Sequence, residues 1–341
     1  MNCFRKILVA VEPGHAVAVA GDRPSGPSEH ALTRAIWLAN GTGAELTIFS
    51  VVSLPLFMEQ LLAEQLSDTQ QEDAPTQATR EMLERCAAQA KAVGVDARIR
   101  LARGIPWQEI CRHVKSESYD VVIAGTRDLG RLGRILFGST GMELLHNCPA
   151  PVWLARPGAR ADRCDILVPS DFSESSSEAL RLALEIGRYG RACVHLLHVI
   201  DEPLAPPAWY VRVPHEMIEE YLAGRRAEAK KRLHQQLAAC GDRTPELGVR
   251  VHVVEGSADE EILRAIDDLN ASLVVMGTAA RSGVSRVVLG NTAERLVSHM
   301  RCSLVAVKPP GFECPLSLET EAGSRPADSL RGPSMSAAPA K

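Results

Sequence analysis

The chain carries one pattern twice with no gap between the copies. Gly125-Thr126-Arg127-Asp128 is followed by nine residues and then Gly138-Ser139-Thr140; Gly277-Thr278-Ala279-Ala280 is followed by nine residues and then Gly290-Asn291-Thr292. The same separation of 152 residues links Gly104 to Gly256, Glu109 to Glu261, Ile110 to Ile262 and Pro157 to Pro309. A repeat of this length is too long for a solenoid unit and right for a whole α/β domain. The pattern therefore predicts a tandem duplication: one domain over 1–158, a second over 159–310, and a remainder from 311 to 341. That remainder, which contains ETEAGSRPADSLRGPSMSAAPAK, has too little apolar content to pack and reads as a disordered tail.

Each copy alternates strand and helix. KILVAV over 6–11 is a short β-branched apolar run, hence a buried strand, and 13–28 reads as a Gly/Pro/Ser-rich connection. A helical pattern follows over 29–40, stopped by Gly41 and Gly43. Further strands are expected at 46–52, 97–101, 121–124 and 152–155, with helices at about 76–92, after Pro106, and over 138–146. In copy two the strands are expected at 166–168, 193–199, 249–254, 273–276 and 304–307, and the helices at roughly 175–188, 215–239, 258–269 and 291–300. Strand–helix alternation with right-handed crossovers gives a doubly wound parallel sheet covered on both faces. Such sheets bind ligands beyond the carboxyl ends of their strands, at the switch point. Glu12 and Asp171 then lie beside the loops that begin at Gly125 and Gly277.

Composition excludes several classes of function. With 45% hydrophobic and 23% charged residues the chain can fill two ordinary cores, and a net charge of −4 favours neither nucleic acid nor an anionic membrane as partner. No run approaches 18 apolar residues, and the first twenty residues are broken by Glu12, Pro13, Gly14 and His15, unlike a signal peptide. Nine cysteines without a Cys-x-x-Cys pair suit a reducing cytoplasm. His195-x-x-His198 falls in a strand, where residues three apart face opposite ways, so the pair is a poor metal site. Asp171 with Ser173 to Ser177 reads as a helix start rather than a nucleophilic site, and no nucleophile elbow, Gly-Lys-Ser/Thr phosphate loop or dinucleotide fingerprint occurs.

VPSDFSESSSEAL at 168–180, VVMGTAARSGVSRVVLGNTAERLV at 274–297 and CSLVAVKP at 302–309 resemble the universal stress protein superfamily, and the tandem arrangement is similar to its two-domain members grouped as universal stress protein E. The resemblance implies two Rossmann-like domains of the adenine nucleotide alpha hydrolase-like kind, joined as an intramolecular pseudo-dimer. It implies that the final strands, 152–155 and 304–307, lie antiparallel across a pseudo-two-fold axis, which would also cover two aggregation-prone edges. In nucleotide-binding members the pattern is Gly-x-x-Gly, nine residues, Gly-Ser/Thr. By that likeness Asp171 takes adenine, Gly277 gives close backbone approach, Gly290, Asn291 and Thr292 meet the phosphates, and Arg281 and Arg286 neutralise them. The matching set in copy one is Gly125, Gly138, Ser139 and Thr140.

Neither copy has the intact pattern. Asp128 and Ala280 replace the second glycine, Glu12 replaces the Asp, and Asn291 replaces Ser/Thr. Asp128 would bring a carboxylate towards a triphosphate, so copy two is the better candidate for ATP or Mg-ATP. The same glycines also have a purely structural reading, since strand-to-helix turns need Gly or a capping residue whatever they bind. Two functions follow. One is a non-enzymatic stress-response module for a small ligand, nucleotide or apolar, or for a protein partner. The other is a nucleotide-dependent switch or slow ATPase. Apolar residues at 53–74 and 201–214 suit the apolar ligand, and a further homodimer is compatible with either function.

Overall fold

The computed structural model describes residues 4–16, 19–53, 74–128, 135–136, 138–157, 165–201, 214–241, 248–278 and 291–316. Copy one contains β1 (Lys6–Ala10), β2 (Pro13–Ala16), β3 (Val19–Pro24), α1 (Gly26–Thr42), β4 (Glu45–Val52), α2 (Ala74–Ala92), β5 (Ala97–Arg103), α3 (Pro106–Glu117), β6 (Val121–Gly125), β7 (Arg127–Asp128), β8 (Ile135–Leu136), α4 (Ser139–Asn147) and β9 (Val152–Ala155). Copy two contains β10 (Ile166–Pro169), α5 (Glu174–Tyr189), β11 (Val194–Ile200), α6 (His215–Ala238), β12 (Val249–Glu255), α7 (Ala258–Asp268), β13 (Leu273–Gly277), α8 (Asn291–His299) and β14 (Ser303–Val307).

Ten strands form one sheet in the order β12-β11-β10-β13-β14-β9-β6-β1-β4-β5. Within each copy the pairs are parallel, and the direction of winding reverses between the first and fourth main strands. The copies meet where β14 pairs antiparallel with β9, with Leu304 opposite Leu154, Val305 opposite Trp153 and Ala306 opposite Val152. This is the expected pseudo-dimer. The physical cause lies in the strands themselves: VWLA and SLVAV are buried along their whole length. Left as edges they would expose apolar side chains worth about 1.5–3 kcal/mol each on burial, together with a row of unpaired amides.

Alternation along the strands divides the core between the two faces of the sheet. Ile7, Val9, Ile166, Val168, Leu196 and Val305 pack under α1, α2, α5 and α6, whereas Leu8, Leu154, Leu167, Leu197 and Leu304 pack under α3, α4, α7 and α8. Both clusters run through both copies, so the fold is a three-layer sandwich.

Three expectations change. The stretch 13–28 is not a plain connection: β2 and β3 pair as an antiparallel hairpin, and α1 starts at Gly26. Both strands are short and contain residues that read as a connection, Pro13 and Gly14 in β2 and Gly21 and Pro24 in β3. Helix α1 also passes Gly41 and ends at Gly43, whose φ of 70° is the left-handed cap that favours glycine. Beyond β6, the short strands β7 and β8 pair antiparallel, with Arg127 opposite Leu136 and Asp128 opposite Ile135.

The third change concerns the C-terminal remainder, which does not begin as a tail. Phe312, Cys314 and Leu316 pack against the second core cluster, and the Leu316 carbonyl accepts from Lys115 Nζ of α3 at 2.9 Å. Residues 317–341 lie outside the described residues.

Lys308 pins this segment to copy one. Its Nζ donates to the carbonyl of Leu145 and, at 3.0 Å, to that of His146, at the carboxyl end of α4. Burial lowers its pKa from 10.5 to about 8, partly offset by the nearby Cys148, Cys111 and Cys314. Between those values the unfolded chain binds more protons than the folded one, so stability rises with pH through that window. The stability of the wild type relative to Lys308→Met is expected to improve by as much as about 3 kcal/mol between pH 7.5 and 10.5. Urea denaturation of both proteins across that range measures it, and a difference independent of pH would contradict a buried, depressed Lys308.

Candidate functional site

The switch point in copy two is built by β10 and β13, which lie side by side. The chain leaves β10 through Ser170, Asp171 and Phe172 before α5 begins. Ser173 caps α5 by accepting from Ser176 N at 3.1 Å, and Asp171 Oδ1 accepts from Ser173 N at 3.0 Å. The Asp/Ser run is therefore a helix start, as its pattern predicts. It also fixes the Asp171 carboxylate just beyond the carboxyl end of β10.

A polar knot fixes this turn from beneath. Ser170 Oγ donates to Gln236 Oε1 of α6 at 2.7 Å and accepts from Phe172 N at 3.1 Å, while Gln236 Nε2 donates to Ser176 Oγ at 3.2 Å and to Ser177 Oγ at 2.9 Å. Phe172 adopts a φ of 66°, an uncommon conformation for a bulky residue. Its ring lies 3.9 Å from the Arg232 guanidinium carbon and 4.2 Å from the centre of the His198 ring. His198 in turn bonds through Nδ1 to the Ser170 carbonyl at 2.8 Å. Sequence reasoning missed Phe172, Arg232 and Gln236. Nothing in the pattern of α6 marks the last two, because their roles come from lying beneath a turn some sixty residues earlier.

Asp171 and Gly277 are joined through the serines. Ser173 Oγ and Ser175 Oγ lie 3.0 Å apart, and a Cβ placed on Gly277 would sit 2.6 Å from Ser175 Oγ and 3.0 Å from the Ser175 backbone carbon. Gly277 thus admits the first turn of α5. In copy one the approach is closer still, since a Cβ on Gly125 would lie 2.1 Å from the Pro27 carbonyl oxygen. The close approach that these glycines permit is already occupied by the chain's own helix, which favours their structural reading.

The residues following each glycine have a structural role too. Thr126 and Thr278 are buried and donate through both backbone N and Oγ1 to the carbonyls of Ala155 and Val307, latching the ends of β9 and β14. In copy one Glu12 N donates to Ser28 Oγ at 2.9 Å and Glu12 Oε1 accepts from Ser25 Oγ at 3.3 Å, so this carboxylate is wired to the start of α1.

Gly138 is different. It caps α4 with φ −57° and no side-chain hydrogen bond, and a Cβ there would meet nothing within 4 Å. Ser139 is exposed and Thr140 half-buried beside it. Among the described residues the position over Gly138 is therefore open, and the first amides of any helix lack intrahelical partners, which suits them to an anion. In copy two, α8 starts at Asn291. Gly290, Arg281 and Arg286 lie outside the described residues, as do the side chains of Asn291 and Thr292 and nearly all of the segments 53–74 and 201–214. Among the described residues no helix is long and apolar enough to cross a membrane.

Comparison with known proteins agrees with this architecture. A sequence model of the universal stress protein family matches residues 4–156 and again 165–308. Universal stress protein E of Photorhabdus laumondii is 26% identical over 333 residues, covering 94% of this chain and 100% of its own. A universal stress protein E homolog of Haemophilus influenzae is 29% identical over 330 residues, covering 90% and 98%. Among solved structures, a universal stress protein from Archaeoglobus fulgidus superposes with a TM-score of 0.60 at 20% identity over 89% of this chain and 98% of its own. A functionally unknown protein from Pseudomonas aeruginosa PAO1 gives 0.61 at 19% identity over 90% and 93%. At those identities the structural likeness speaks for the fold alone.

Proposed function

The chain belongs to the universal stress protein family, and from that premise we propose that it is a non-catalytic stress-response module of the cytoplasm whose second domain binds an adenine nucleotide. The observation that carries this reading is the Asp171 carboxylate, held by Ser173 N just beyond β10, the strand paired with β13 at the switch point. A carboxylate at the switch point accepts hydrogen bonds from an exocyclic amine or a ribose hydroxyl. The start of α8, on the chain beyond β13, offers unpaired amides and a partial positive charge to phosphates. The polar knot around Gln236 holds the Asp171 turn in place before any ligand arrives, which lowers the entropic cost of binding.

The test is calorimetry of ATP, with and without Mg²⁺, against the full chain and two variants. Asp171→Ala is expected to weaken binding about 10- to 100-fold, the worth of a hydrogen bond to a charged group. Glu12→Ala is expected to leave it unchanged. No binding by the wild type would sink the nucleotide reading and move the search to protein or apolar ligands. Release of inorganic phosphate from bound ATP would replace the module with a slow ATPase.

A further inference from the structure

The opposite end of the same sheet holds a cluster that the family pattern does not explain. Asp165 precedes β10, Cys193 precedes β11, and His195 is the second residue of β11. One potential ligand atom from each, a carboxylate oxygen, the thiol sulfur and a ring nitrogen, lies within 4.8 Å of the other two. We propose that Asp165, Cys193 and His195 form a zinc-binding site at the amino end of the second domain's sheet.

The three side chains share a face because their backbones are locked in register. Ile166 N donates to the Cys193 carbonyl at 2.9 Å, Ser272 N donates to the Asp165 carbonyl at 3.0 Å, and His195 pairs with Leu167 along the ladder. Cys193 and His195 are two apart on one strand and therefore point the same way. His198, three residues on, points away to the Ser170 carbonyl at the far end of the sheet. The sequence pair His195-x-x-His198 is thus no site, whereas the pairing across strands is one.

The second ring nitrogen of His195 is already engaged. Its Nδ1 lies 3.0 Å from Nε2 of His252 on β12, and its Nε2 faces Asp165 Oδ1 at 3.7 Å. A proton on Nδ1 donated to His252 leaves the Nε2 lone pair directed at Asp165 and Cys193, the arrangement in which an outer partner orients a metal-bound imidazole. At 3.7 Å the His195–Asp165 contact is too long for a hydrogen bond but close to the ligand spacing around a tetrahedral metal. Bonds of about 2.0–2.3 Å at tetrahedral angles place ligand atoms about 3.3–3.7 Å apart, so at most about 1.5 Å of contraction closes the set.

The donor set selects the ion. A thiolate disfavours Mg²⁺ and Ca²⁺, and a mixed sulfur, imidazole and carboxylate set suits Zn²⁺ with one position left for water. The Asp165 side chain is 42% exposed while that of His195 is 4% exposed, so an ion reaches the buried ligands past Asp165. Arg250, level with His195 on β12, is exposed to solvent.

Titration of the metal-stripped full chain with Co²⁺, followed by competition with Zn²⁺, tests the site. One equivalent is expected to bind with a near-ultraviolet thiolate-to-cobalt absorption that Zn²⁺ abolishes and Mg²⁺ does not. Cys193→Ser should remove the absorption, and Cys314→Ser, in a separate cysteine cluster, should keep it. Asp165→Asn and His252→Ala should each weaken binding about 10- to 100-fold. Asp165→Asn alters a half-exposed group and keeps the test decisive if Cys193→Ser does not fold. No binding by the wild type, retention of the band in Cys193→Ser, its loss in Cys314→Ser, or unchanged affinity in Asp165→Asn would each overturn the proposal.

Discussion

Replacing Gly125 by alanine is expected to destabilise the protein by about 3 kcal/mol or more, although only one methyl group is added. The new Cβ would lie 2.1 Å from the Pro27 carbonyl oxygen and 2.3 Å from its carbon, so backbone and not a flexible side chain has to move. Pro27 sits in the first turn of α1, a helix anchored in the core by Ala31, Leu32 and Ala35. Gly138→Ala is the matched control: its φ of −57° suits any residue and its Cβ meets nothing within 4 Å. A change within about 0.5 kcal/mol is expected there. Urea denaturation of the two variants without ligand makes the comparison. Equal effects would mean that the packing of α1 against β6 is not what requires Gly125.

Trp153→Ala is expected to cost about 3–5 kcal/mol, the usual range for removing a buried aromatic. Trp153 is 2% exposed, lies opposite Val305 across the seam between the domains, and has the Arg34 guanidinium carbon 5.6 Å from its ring centre. It also lines a small cleft with Ile166, Ile186 and Leu273 of the second domain. The loss therefore falls on the contact that couples the two halves. Wild-type unfolding is expected as one transition and the variant's as two, resolved by calorimetry. A variant that loses less than about 1 kcal/mol and keeps a single transition would show that the seam does not depend on Trp153.

The fold was largely legible in the residues. Apolar β-branched runs such as KILVA and LVVMG mark buried strands, Gly43 and Gly94 close helices, and a constant spacing of 152 residues sets the unit. The hairpin of β2 and β3 was not legible, because both strands are short and carry turn-forming residues, Pro13 and Gly14 in one and Gly21 and Pro24 in the other. Nor was the docking of Phe312, Cys314 and Leu316, since three alternate apolar residues bury themselves only because copy one presents a face to them.

The candidate site divides in the same way. Asp171 and the serine cap could be read from the order of residues, because a helix start is a local arrangement of neighbouring side chains and amides. Whether Gly277 faces a ligand or its own helix could not, since the answer depends on how closely α5 packs. Gln236, Arg232 and Phe172 meet only once α6 crosses beneath the turn. Asp165, Cys193, His195 and His252 meet only once three strands are in register. By itself the sequence determined what depends on short-range periodicity and on comparison of one half with the other: two copies of one α/β unit, with their strands and helices. The tertiary structure decided which glycines are filled from within, which polar groups hold the site, and which residues far apart in the chain share one face, because each of these is set by distances between elements rather than by spacing along the chain.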